Sequence, residues 1–122
     1  MTRNRASPDS WETQPLPEPR AQLGFEREFT NEEFEALQLG FVPEHMEERW
    51  FVLWQEPWLT LYRSWTGYAV FGLRIEPLTR GAFVAESWVS RDRNQYKGDD
   101  LLYDREVLSN VLNFVINCEE RE

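Results

Sequence analysis

Trp50-Phe51-Val52-Leu53-Trp54-Gln55-Glu56-Pro57-Trp58-Leu59-Thr60-Leu61-Tyr62-Arg63 is strand-like on both sides of Glu56-Pro57, rich in aromatic and branched residues and readable with a period of two. Two apolar runs parted by so short a polar step predict a β-hairpin. The same period extends the pattern to four strands, Arg49 to Gln55, Trp58 to Ser64, Gly67 to Glu76 and Ala82 to Val89. Their connections are too short for parallel crossovers, so neighbouring strands run antiparallel. Pro57 and Pro77 fall at strand ends, where a missing N–H costs least.

Helical signals flank this block. Thr30-Asn31-Glu32-Glu33 matches a capping box, Phe34 and Leu37 follow at helical spacing, and Gly40 stands where a C-cap residue belongs. Gly98-Asp99-Asp100 opens a second helix reaching about Asn117, with Leu101, Leu108, Val111, Leu112, Val115 and Ile116 as an apolar stripe. The expectation is an α+β fold: a short N-terminal helix, a four-stranded antiparallel meander and a long C-terminal helix packed on one sheet face.

Residues 1–22 contain Ser7-Pro8-Asp9-Ser10 and Pro15-Leu16-Pro17-Glu18-Pro19, which cannot sustain a helix. They read as a disordered or loosely attached Pro-rich arm, with Trp11 as a possible anchor, ahead of a single domain over 23–122. The 122-residue chain has a net charge of −9, which argues against general nucleic-acid binding. No stretch has the apolar length of a membrane span, and one cysteine, Cys118, cannot form an intramolecular disulfide. A soluble, cytoplasmic protein is expected, with no membrane partner.

Alternation divides the strands between two faces. Phe51, Leu53, Leu59, Leu61, Ala69, Phe71, Leu73 and Ile75 form an aliphatic-rich set expected beneath the C-terminal helix. Trp50, Val52, Trp54, Trp58, Thr60, Tyr62, Ser64, Tyr68, Val70, Gly72 and Arg74 form an aromatic and partly polar set, either core under the N-terminal helix and residues 41–46 or an open stacking platform.

Arg63-Ser64-Trp65-Thr66-Gly67 interrupts the strands with a guanidinium, two hydroxyls, an indole and a glycine. Arg63 is expected on the helix-facing side near the sheet rim, where it needs an anion: an internal acid such as Asp92, or a ligand. A ligand there would receive a bidentate contact from Arg63, hydroxyl bonds from Ser64 and Thr66, and stacking from Trp65. Tyr62 precedes the turn, and Arg91 and Asp92 belong to a locally basic loop, Ser90 to Lys97, leading into the C-terminal helix. These seven residues are the candidate binding set.

The pattern Arg49-Trp50-Phe51, Trp58-Leu59, Arg63-Ser64-Trp65-Thr66-Gly67, Ser90-Arg91-Asp92 and Gln95-Tyr96 resembles a family of small uncharacterised bacterial proteins. The resemblance spans about residues 30 to 117. It implies an association with proteins that process ADP-ribose, and hence a ligand of that kind. Family members often carry His where this chain has Tyr62, so imidazole chemistry does not carry over.

One His and one Cys disfavour a metal site, and no cofactor is expected. His45 sits in an acidic connection, Met46-Glu47-Glu48, as a surface residue would, and there is no phosphate-binding glycine loop. Three roles follow. The first is a binding module for a phosphate-bearing small molecule, nucleotide or ADP-ribose-like. The second is an acidic regulatory or immunity-type protein that engages a basic protein partner, and the third a small hydrolase or transferase using Arg63 and Asp92.

Overall fold

A computed structural model describes residues 5–118. Its elements are β1 (Arg20–Gln22), β2 (Glu28–Phe29), α1 (Asn31–Leu39), β3 (Trp50–Gln55), β4 (Trp58–Arg63), β5 (Ala69–Pro77), β6 (Ala82–Ser90) and α2 (Leu101–Ile116). The fold is α+β with one antiparallel sheet in the order β1-β6-β5-β4-β3, and β2 lies beside β1 on the outer edge of β6. The sheet thus has six strands. The four-stranded meander is present, but Arg20–Gln22 and Glu28–Phe29 add two short edge strands. Neither has an alternating apolar pattern; each is a strand because β6 offers it an edge to bond.

Local chemistry fixes both helices. The Thr30 hydroxyl accepts from the Glu33 N–H at 3.1 Å, and the Glu33 carboxylate accepts from the Thr30 N–H at 2.9 Å. Gly40 ends α1 with φ 69° and ψ −157°, a conformation open to glycine alone, and a β-carbon there would strike the Val52 carbonyl. Asp100 caps α2 by accepting from the Leu102 N–H at 3.0 Å. Leu108, Val111, Leu112 and Val115 of α2 are buried, whereas Leu101 is exposed and leaves the predicted stripe. Asp104 takes an inward position in its place and is fully buried.

The face assignment of β3 is the main correction. Across the two-residue turn, Trp54 pairs with Leu59, Val52 with Leu61 and Trp50 with Arg63. Cross-strand partners of a two-residue hairpin have opposite parity in sequence, so even positions of β3 share a face with odd positions of β4. Trp50, Val52 and Trp54 therefore lie with Leu61, Phe71 and Leu73 beneath the helices, where Phe34 of α1 meets Trp54 edge-on at 5.4 Å. Phe51 and Leu53 join Tyr62 and Ala69 on the opposite face.

That opposite face is crossed by residues 6–19. The Ala6 N–H donates to the Leu39 carbonyl, Trp11 stacks on Phe51 at 5.9 Å, the Gln14 N–H donates to the Gly67 carbonyl, and Leu16 packs beside Gly72. The chain then enters β1 on the far edge. Apolar residues at 6, 11 and 16 supply the contacts, spaced so that each reaches a different part of the sheet. Among the described residues no helix is long and apolar enough to cross a membrane.

Candidate functional site

The Arg-Ser-Trp-Thr-Gly turn closes β4 onto β5 with the Gly67 N–H bonded to the Arg63 carbonyl at 2.8 Å. Gly67 has φ 75°, and a β-carbon on it would run into the Glu12 carbonyl. Much of the turn's polar capacity is internal. The Ser64 hydroxyl donates to the Glu48 carbonyl at 2.9 Å, Thr66 Oγ1 accepts from the Tyr68 N–H at 3.3 Å, and the Trp65 indole donates to the Met46 carbonyl at 3.0 Å. The Trp11 indole reaches the Ser64 carbonyl at 2.9 Å. These bonds tie residues 46–49 and the N-terminal segment to one turn.

Arg63 lies on the helix-facing side at the sheet rim, its guanidinium 5.3 Å from the centre of the Trp50 ring. Among the described residues no carboxylate pairs with it. Arg49, one pair beyond Trp50, stands beside it, and among the described residues no carboxylate pairs with it either; the two line an open hollow of ≈380 Å³ with Trp65 and Thr66. The Trp65 ring is 73% exposed, and it also borders a wider cleft of ≈620 Å³ whose other wall carries Asp9, Trp11 and Glu12. One indole thus separates a cationic hollow from a cleft bearing two acids.

The remaining candidates go elsewhere. Tyr62 faces the N-terminal segment, packed on Phe51 at 5.7 Å, and burial raises its phenol above the ordinary tyrosine pKa. Arg91 is bonded to Asp104 at 2.6 Å and to the Gly98 carbonyl at 3.2 Å. Tyr96 donates to the other Asp104 oxygen at 2.6 Å; burial, and then this bond, push its phenol well above the ordinary range. Asp92 accepts from the Asn94 N–H at 3.0 Å and makes no ion pair with Arg63. The basic loop is therefore pinned to α2 by a buried ion pair.

Two residues escape a reading by sequence alone. Asp104 looks like an exposed acid near a helix start until Leu101 is seen to turn outward. Arg49 precedes its strand, and the hairpin register that sets it opposite Ser64 was the available signal.

No protein-family model matches the chain, and searches of curated proteins and of solved structures returned no match. The class defined by fold and site is an α+β domain with two rim arginines beside an exposed tryptophan. The resemblance noted for the Arg-Ser-Trp-Thr-Gly turn rests on that motif and its flanking residues.

Proposed function

We propose that the Arg49–Arg63–Trp65 hollow is the binding site of a phosphate-bearing small molecule, nucleotide or ADP-ribose-like. The observation that carries this reading is a pair of neighbouring guanidiniums with no carboxylate partner among the described residues of a strongly acidic chain. Stacking on Trp50 holds the Arg63 fork in one orientation, which suits bidentate recognition of phosphate. Trp65 offers an exposed ring for a base. Thermal-shift titration with nucleoside mono- and diphosphates and ADP-ribose tests it. The expected result is a stabilisation lost in Arg63→Ala and Arg49→Ala; an unresponsive wild-type protein rejects it.

A second reading has its own observation. Met46 and Trp65 are each 73% exposed and are joined by the indole hydrogen bond, a paired apolar projection of the kind that anchors protein interfaces. In that reading the partner is a basic protein, and binding weakens with salt and with Trp65→Ala while nucleotides have no effect.

A further inference from the structure

Arg49 lines two cavities. Beyond the cationic hollow, on its other side, a groove of ≈310 Å³ runs between the edge strand β3 and α2. Its walls are Phe41, Trp50, Val52, Val111, Phe114 and Val115, and the Phe114 ring is 51% exposed while meeting Phe41 edge-on at 5.0 Å. Trp50 belongs to the groove and carries the Arg63 guanidinium on its ring, so apolar wall and cation are in direct contact. Each cavity reaches the range of about 300–1,000 Å³ found for small-molecule sites.

We propose that the anion held by Arg49 and Arg63 is the head of an amphipathic ligand, a single-chain alkyl phosphate, with its alkyl chain in the Phe41–Phe114 groove. The proposal rests on the reading of the arginine hollow given above. Charge complementarity selects the head: the groove shares Arg49 with the hollow that also holds Arg63, and among the described residues neither guanidinium has a carboxylate partner. Glu47 and Glu48 are the acids of the groove rim, and the Glu48 carboxylate accepts from the N–H groups of Glu44 and His45 at 2.7 and 3.2 Å.

The walls select the tail. Phe41, Trp50, Val52, Val111, Phe114 and Val115 make up most of the groove lining, so a nucleobase set between these walls would find few partners for its ring nitrogens and exocyclic groups. A hydrocarbon chain asks for none and covers the exposed Phe114 ring.

The test is calorimetric titration with inorganic phosphate, then butyl, hexyl and octyl phosphate below their micelle concentrations, with octyl glucoside as the uncharged control. Affinity is expected to rise about fourfold per added methylene until the groove is filled. Phe114→Ser and Asn110→Glu, both at exposed positions, are expected to flatten that rise, and Arg49→Ala to abolish binding of the whole series. Octyl glucoside binding as tightly as octyl phosphate would overturn the proposal. So would affinity independent of chain length; if nucleotides still stabilise the protein in that case, this inference alone fails and the phosphate site stands.

Discussion

The guanidinium of Arg63 lies over the ring of Trp50, 5.3 Å from its centre, on the non-hydrogen-bonded pair that begins the β3–β4 hairpin. The contact holds a cation at the sheet rim without neutralising it. A salt bridge would have consumed the charge, whereas the indole face leaves the guanidinium edge free to donate.

Replacing Arg63 should therefore affect binding far more than folding. Arg63→Ala is expected to cost about 0.5–1 kcal/mol, the worth of a partly exposed cation–π contact. The same variant should lose the phosphate-ester response entirely. Urea unfolding and ligand-dependent thermal shift, run on one preparation, separate the two effects.

Asp104 should be the opposite case. It is fully buried and accepts from both Arg91 and Tyr96, so Asp104→Ala leaves a guanidinium and a phenol without their acceptor. Removing one partner of such a pair costs about 3–5 kcal/mol. The expected result is a large fall in the urea midpoint, with amide exchange increasing first over residues 91–98.

Tyr96 gives a pH dependence of definite sign. Its phenol pKa is raised in the folded protein by burial and by its bond to Asp104, against an ordinary value of 10.0. The folded state therefore holds this proton more tightly than the unfolded chain. Stability from this group is complete below the ordinary tyrosine pKa and is lost as pH climbs from about 10 toward the folded value. Between pH 9 and 11 (roughly the span that brackets the unfolded pKa), wild type should lose more stability than Tyr96→Phe; equal losses in urea titrations would refute the assignment.

Gly67 governs attachment of the N-terminal segment. With φ 75° and the Glu12 carbonyl where a β-carbon would go, Gly67→Ala should cost about 1–3 kcal/mol. The Gln14 amide, bonded to the Gly67 carbonyl, should exchange faster in the variant. Trp11→Ala should lose about 1–2 kcal/mol through the Phe51 stack and the bond to Ser64. Limited proteolysis should then cut within residues 5–19 sooner than in wild type.

Features written in short sequence windows were legible. The Thr30–Glu33 box, the Gly40 terminus, the Asp100 cap and the four meander strands all follow from a few adjacent residues. Features that depend on a distant partner were not. Arg20–Gln22 is polar and becomes a strand only against β6, and Asp104 turns inward because Arg91 and Tyr96 meet it. The β3 faces were recoverable from hairpin parity, because Gln55 opposite Trp58 fixes every later pair. At the site, the turn and its arginine could be read, and so could the position of Arg63 at the rim. Arg49 was legible only through the hairpin register, which sets it opposite Ser64 and so beside Arg63.

The path of residues 6–22 over the sheet opposes the direction of synthesis. The segment leaves the ribosome before the sheet does, yet Arg20 pairs with Ser90 and Gln22 with Trp88, so pairing of β1 waits for nearly the whole sheet to emerge. The contacts of Trp11 with Phe51 and of Leu16 beside Gly72 need only residues up to β5. Cover of the face can thus precede β1 pairing, and release of residue 90 from the exit tunnel marks the point at which β1 can lock the segment to the sheet edge.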